Sequence, residues 1–344
     1  MILRRAFITL LGGAAAAWPL AARAQQGERV RRIGVLSAGS SEDESAARAD
    51  LAALREGLAK LGWIEGRNLR IDLRFTGSDP DRIRADAAEL VSLAPEVIVT
   101  GSVPATKVAQ EQTKAIPVVF TRGNDPVTNG LLQNIARPEG NTTGFTSTVD
   151  SLIGKWLELL REAAPHITRV ALVFNPQTVN VGYFRPLEAA APPLGVQALK
   201  TPVRDPLEMV RAIDAFATEP NGGLLVVPVL PVDSYQMLRR VAAEHRLPDI
   251  HTTLRGVAAG GLMSYGTDYP DIYRRAATYV DRLLRGTKVS ELPVQFPTKF
   301  NLVINLKAAK ELGLTVPPSI LVFNAALSRS PGPPNPALDM GRLI

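Results

Sequence analysis

The sequence has no cysteine, only three histidines and few aromatic residues, 6% of 344. Each shortage closes off a class of function. Without cysteine there is no disulfide, thiolate metal site, cysteine nucleophile or lipid-modified cysteine anchor. His166, His245 and His251 show no metal-ligand spacing and no Glu-x-x-His arrangement, and positions at helix ends account for the first two. Also missing are a Gly-x-Ser-x-Gly elbow, a Gly-x-x-x-x-Gly-Lys-Ser/Thr phosphate loop and a Gly-x-Gly-x-x-Gly after the first apolar run, where Gly34 and Gly39 have the wrong spacing. No enzyme, cofactor or metal is therefore expected, and a binding role is what these absences leave.

What is present begins with an address. Arg4-Arg5 precedes an apolar stretch from Ala6 to Leu20, then Ala22-Arg23-Ala24, the charged, apolar and small-residue order of a secretory signal. Arg4-Arg5-Ala6-Phe7-Ile8 resembles a twin-arginine signal, and either that route or the general one delivers the chain to the periplasm after cleavage at Ala24. No other stretch is long and apolar enough to cross a bilayer. The formal charge of +6 falls to +3 without the three arginines of residues 1–24, with 36 basic against 33 acidic residues remaining. Basic and acidic side chains alternate along helices instead of forming a patch interleaved with aromatics, so nucleic acid is not expected as a partner.

From Arg32 onward, short β-branched runs alternate with amphipathic stretches, the pattern of parallel sheets flanked by helices. Ile33-Gly34-Val35-Leu36 reads as a strand, and Leu51, Leu54, Leu58 and Leu61 mark a helix that ends at Gly62. Strands follow at Leu69 to Phe75, Val97 to Thr100 and Pro117 to Phe120. A second series starts with a helix carrying Leu152, Trp156, Leu159, Leu160 and Ala163, then the strand Val170 to Phe174. The offset from Ile33 to Val170 is 137 residues and that from Leu61-Gly62 to Leu194-Gly195 is 133. Offsets this close predict two lobes of like topology. A long helix is expected from about Asp271 to Arg285, one more strand and helix over Leu302 to Leu312, and a flexible tail over 321–344, since six prolines fall between Pro317 and Ile344.

In open α/β sheets ligands sit at the carboxyl ends of strands. The turns there hold Ser37-Ala38-Gly39-Ser40, Gly101-Ser102, Thr121-Arg122-Gly123-Asn124-Asp125, Asn175 and Tyr265-Gly266-Thr267-Asp268. They supply hydroxyls, amides and carboxylates suited to a small polar or zwitterionic ligand. Capping and turn formation account for the same residue types. Asp125, Asp233 and Asp268 each read as a cap or as a contact, and Tyr265 as a cleft or a core residue.

Several segments together resemble a known family: Arg32-Ile33-Gly34-Val35-Leu36, Leu61-Gly62-Trp63 with Glu65-Gly66-Arg67-Asn68-Leu69, Asp125-Pro126-Val127, Asn141-Thr142-Thr143-Gly144-Phe145, Lys155-Trp156-Leu157-Glu158-Leu159-Leu160, Gly260 to Gly266 and Pro297-Thr298-Lys299-Phe300. In this order they are similar to ABC transporter substrate-binding proteins, the group with tryptophan- and tyrosine-binding members. The resemblance spans about 31 to 320. It implies an α/β type I periplasmic binding protein fold, two Rossmann-like lobes with parallel sheets joined by three crossover segments. The lobes it implies are 31–146 with 265–291 and 147–264 with 292–320, with crossings near Thr146, Tyr265 and Leu292. It further implies a monomer that captures a small solute, an amino acid or aromatic compound among the classes to consider, and delivers it to an ABC permease in the membrane. The alternative is solute sensing for a chemoreceptor or sensor kinase. The ligand-binding candidates are Ser37, Ser40, Ser102, Thr121, Asp125, Ser147, Asn175, Asp233, Tyr265 and Asp268, with no catalytic residue.

Overall fold

Residues Arg31–Ser37 form β1, in which Ile33, Val35 and Leu36 are each at most 1% exposed. Successive residues of a strand point to opposite faces, so apolar side chains at both parities need cover on both. The computed structural model describes residues 30–38, 45–77, 79–123, 125–147, 151–176, 184–227 and 232–320, and supplies that cover. The expected leader 1–24, Ser40 and the tail 321–344 lie outside the described residues, as does the side chain of Asp233.

The next strands are β2 (Leu69–Phe75), β3 (Val97–Thr100), β4 (Val118–Phe120) and β5 (Thr142–Gly144), and all five form one parallel sheet of order β2-β1-β3-β4-β5. On one face lies α1 (Ser45–Lys60), which buries Leu51, Leu54 and Leu58 at helical spacing. On the other, α2 (Pro80–Ser92) and α3 (Val103–Gln112) pack Ile83, Ala87, Leu90, Ala105 and Ala109 against Leu36, Ile98 and Val118. Asp79 caps α2 by accepting from the N–H groups of Asp81 and Arg82, and Ser102 caps α3 by accepting from Ala105 N.

The second half repeats the plan. After α4 (Ser151–Ala163), the strands β6 (Arg169–Phe174), β7 (Gln197–Pro202), β8 (Gly222–Val226), β9 (Asp249–His251), β10 (Met263–Thr267) and β11 (Phe300–Ile304) form a sheet of order β11-β10-β9-β8-β6-β7. Read from its other edge, β7-β6-β8-β9-β10 is the same winding as β2-β1-β3-β4-β5, as the like offsets predicted. The addition is β11, antiparallel to β10. The helices α4, α5 (Arg185–Ala190) and α10 (Leu306–Glu311) cover one face, while α6 (Pro206–Ala217) and α7 (Val232–Glu244) cover the other. A short α8 (Leu254–Ala258) lies against β9 and β10.

Although it follows β10 in the chain, α9 (Tyr269–Leu284) packs on the first sheet, alongside α1. The close crossing depends on Gly57, where a Cβ would lie 2.7 Å from Ala277 Cβ and 2.8 Å from the Arg274 carbonyl. The chain thus passes between the lobes three times. The three passages are hydrogen-bonded to one another or to their flanks: Thr146 N to Gln295 O at 2.8 Å, Thr267 Oγ1 to Ser147 O at 2.7 Å and Asp268 N to Lys299 O at 3.0 Å. Tyr265 itself pairs within the second sheet, opposite Leu302, and Leu292 is buried in the first lobe's core. Among the described residues no helix is long and apolar enough to cross a membrane.

Trp156, from the Lys155-Trp156 motif, ties α4 to this region, donating from Nε1 to the Tyr265 carbonyl at 2.6 Å. Trp156→Phe is expected to lower folding stability by about 2 kcal/mol through the lost bond and the lost ring volume. Urea denaturation measures it, and a loss below about 0.5 kcal/mol would show the bond to be dispensable.

Candidate functional site

Both sheets hand the chain over at strand carboxyl ends, β5 through Thr146 and β10 through Asp268. Parallel neighbours end on the same edge, so the turns after β1, β3 and β4 and those after β6, β8 and β9 lie toward the crossings, where open α/β sheets take ligands.

On the first lobe the turn after β4 carries Arg122, whose Nη2 donates to Asp50 Oδ2 at 2.6 Å. Asp50 belongs to the first turns of α1 and is buried on its apolar face. The ring of Tyr269, the first residue of α9, covers the guanidinium with its centroid 3.5 Å from Arg122 Cζ. One turn later Tyr273, 2% exposed, sets its hydroxyl beside Arg122 and Thr121, both of which favour its ionised form. Thr121 passes its own proton to the Thr100 carbonyl at 3.0 Å. Gly101 makes room for that hydroxyl, since a Cβ there would stand 2.9 Å from Tyr273 Oη.

The electrostatics follow from burial and charge. Burial pushes the Asp50 carboxyl above the usual carboxylate range even though Arg122 pulls it down, with nearby Asp268 adding to the rise. Burial opposes the charge on Arg122, but Asp50, seconded by Tyr269 and Tyr273, holds its pKa above the ordinary value. Tyr273 is pushed up chiefly by burial. The neighbouring carboxylate of Asp271 is matched by Lys299 at 3.0 Å, from the third crossing.

The expected residues divide into those that meet this cluster and those that do not. Thr121 adjoins Arg122 and Tyr273, Asp268 acts on Asp50 through its charge, and Ser102, next to Gly101, spends its hydroxyl on the cap of α3. Asp268 also caps α9 by accepting from Asp271 N at 3.0 Å, the capping reading of it. Ser37 is buried at the end of β1, where its carbonyl accepts from Thr76 N and Oγ1. Ser147 is buried and its carbonyl takes the Thr267 hydroxyl. Asp125 is exposed, has φ 36° and accepts from Thr128 N at 3.2 Å, serving its own turn. Asn175 is buried at the end of β6, across the crossings from the cluster. Tyr265 packs its ring into the second core, 5.9 Å from that of Phe300. Asp233 lies in the first turn of α7.

Asp50, Arg122, Tyr269 and Tyr273 were not singled out from the sequence. A signal existed for two of them: Asp50 is a lone carboxylate on the apolar stripe of α1, and Arg122 stands inside a turn already marked as functional. On the second lobe, His251 is buried with Nε2 at 2.6 Å from Asp249 Oδ2, while Asp249 Oδ1 accepts from Leu262 N at 2.7 Å. The ring sits where a Cβ on Gly256 would be, 2.0 Å from its Cγ, so this pair is part of the packing of β9 against α8. Among the described residues no group of acidic or histidine side chains is arranged to hold a metal ion.

Comparison with known proteins bears on the same chain segments. The family pattern described as ABC transporter substrate binding protein matches residues 42–327. A tyrosine-binding protein from Clostridioides difficile is 27% identical over 256 residues, 74% of this chain and 73% of that protein. Among solved structures, a conserved domain protein from Vibrio cholerae superposes with a TM-score of 0.74 at 26% identity, covering 86% of this chain and 98% of the other. A domain from Streptococcus pneumoniae in complex with L-Trp gives 0.73 at 22% identity, covering 85% and 97%.

Proposed function

Because the chain belongs to the ABC transporter substrate-binding protein family, we propose that it captures a small polar or aromatic solute between its two lobes, outside the cytoplasm, and delivers it to the membrane permease of an ABC importer. The observation that carries this reading is the Arg122–Asp50–Tyr273–Thr121 cluster at the strand ends that face the crossings. Its arginine is held by Asp50 and by the Tyr269 ring before any ligand arrives. The relatives that bind tyrosine and L-Trp support an aromatic amino acid as the first class to try. The leader-like residues 1–24 support export to the periplasm.

The mechanism needs no covalent step. Solute that meets one lobe in the open form and both in the closed form shifts the population toward closure, and affinity is set by the difference between the two sets of contacts. The three hydrogen-bonded crossings give that motion a common axis, and the permease reads the closed form.

Thermal denaturation of residues 25–344, unfolded and refolded to strip carried-over solute, tests the reading against amino acids, aromatic acids, sugars and small organic acids. A true ligand at about a hundred times its Kd adds about 2.7 kcal/mol, a rise of about 5 °C in Tm. A panel in which no member raises Tm overturns solute capture.

A further inference from the structure

Arg122 is a charge that the fold does not need. A buried ion pair stabilises a protein little more than well-packed apolar side chains of the same volume. Asp50 occupies a place on the buried stripe of α1, between Ala47 and Leu54, that leucine would fill. The pair is also unequally placed: the Asp50 side chain is 6% exposed and that of Arg122 is 26%. The carboxylate is the more deeply buried partner, and the Arg122 side chain keeps about a quarter of its surface open.

From this arrangement we infer that Arg122 anchors a carboxylate group of the bound solute, with Asp50, Tyr269 and Tyr273 as positioning residues. The inference rests on the solute-capture reading and deepens it by fixing one chemical group of the ligand. A guanidinium offers its N–H groups in a rigid planar fork that matches a carboxylate edge to edge. Here the plane is set on two sides. Asp50 holds one edge at 2.6 Å and the Tyr269 ring lies on one face at 3.5 Å from centroid to Cζ, with the Tyr273 hydroxyl close by. An arginine so restrained loses little freedom when it binds. The surrounding charge selects the kind of anion. Asp50 pairs with Arg122, Asp268 acts on Asp50 through its charge, and the Asp271 charge is already matched by Lys299. The site therefore has no surplus of positive charge for a phosphate dianion and suits a single carboxylate, held by directed hydrogen bonds from the guanidinium rather than by a net charge.

The test uses matched probes on the full chain after its leader: L-tyrosine with L-tyrosinamide and tyramine, benzoate with benzamide, and 4-hydroxyphenylacetate with its amide. Affinities come from thermal shift and calorimetry. At least one carboxylate is expected to bind, with its uncharged or decarboxylated counterpart weaker by about 10- to 100-fold, the span of a charged hydrogen-bonding contact. The double variant Asp50→Asn with Arg122→Gln keeps a hydrogen bond between the two positions without charge. It is expected to weaken the carboxylate far more than the amide, so that the difference between the two disappears. Arg122→Lys, which retains the charge and loses the fork, is expected to narrow the difference without abolishing it, and an unchanged difference there counts against the assignment should the double variant not fold. Asp50→Asn alone is expected to weaken the carboxylate more than the amide, whereas a merely structural role would weaken both alike. A carboxylate preference that survives the double variant, or best binders that carry no carboxylate and ignore Arg122, overturns the assignment and leaves solute capture standing. Failure of every probe and of the wider solute panel removes both.

Discussion

Replacing Gly144 by alanine is expected to cost about 3 kcal/mol or more of folding stability, among the largest effects of any single methyl group in this chain. Gly144 ends β5 with φ 154° and pairs with Phe120 of β4. A Cβ there would lie 2.1 Å from the Phe120 carbonyl oxygen, 2.6 Å from its nitrogen and 2.8 Å from its carbonyl carbon. All three are backbone atoms, so no rotamer change relieves the contact. Separating the strands would disturb the bond from Phe145 N to Phe120 O at 2.8 Å and that from Gln295 N to Gly144 O at 3.0 Å. The first of these closes the sheet and the second joins two crossings. Phe120 leads directly into Thr121 and Arg122, so the same substitution is expected to weaken solute binding. Guanidinium denaturation measures the stability, and a change below about 1 kcal/mol would show that the β4–β5 pair yields easily.

What the sequence disclosed, and what it concealed, divides along physical lines. Central parallel strands are buried on both faces, so Ile33 to Leu36, Val97 to Thr100 and Val170 to Phe174 announced themselves as unbroken apolar runs. The three-residue strands β5, Thr-Thr-Gly, and β9, Asp-Ile-His, carried no such signal, because their polar side chains are satisfied by partners that only the folded backbone aligns with them. Thr143 Oγ1 reaches the Leu292 carbonyl at 2.6 Å, and Asp249 is satisfied by His251 and by Leu262 N. The long helix was expected from Asp271 and begins at Tyr269, since Asp268 caps it and Pro270 occupies its first turn.

Several residues inside the family-like motifs prove to hold the fold. Trp63 donates from Nε1 to Asp281 at 2.8 Å, binding the end of α1 to α9. Asn141 donates to the carbonyls of Thr113 and Ile116 at 3.0 and 2.8 Å, and Trp156 bonds the Tyr265 carbonyl. The Arg122–Asp50 pair was concealed for a different reason. Its members stand 72 positions apart, and neither a turn arginine nor a helix aspartate is unusual until the fold brings them within 2.6 Å.

That pair gives the other large expected effect, and its pH dependence differs with the member removed. Asp50→Ala leaves a guanidinium without its counter-ion, and Arg122→Met leaves a carboxylate buried at 6% exposure. Each is expected to cost about 3 kcal/mol, the lower end for a broken buried pair because Arg122 keeps some contact with water. The two single variants differ in their pH dependence. Burial already raises the Asp50 pKa, and removing Arg122 takes away its main opposing influence, so in Arg122→Met the folded-state value lies further above the unfolded one. A carboxyl raised in this way adds stability that is complete below its unfolded pKa and is lost as pH climbs through the folded value. Arg122→Met is therefore expected to fall further behind the wild type as pH rises from about 4 toward neutrality, while Asp50→Ala shows no such slope. Replacing both, as Asp50→Leu with Arg122→Met, removes the unpaired charge and is expected to return stability to within about 1 kcal/mol of the wild type. Denaturation of the four proteins at several pH values closes the cycle. Additive losses without a pH slope would show that the two side chains are not coupled. A double variant that is stable yet no longer binds solute would separate what the pair does for the fold from what it does for the ligand.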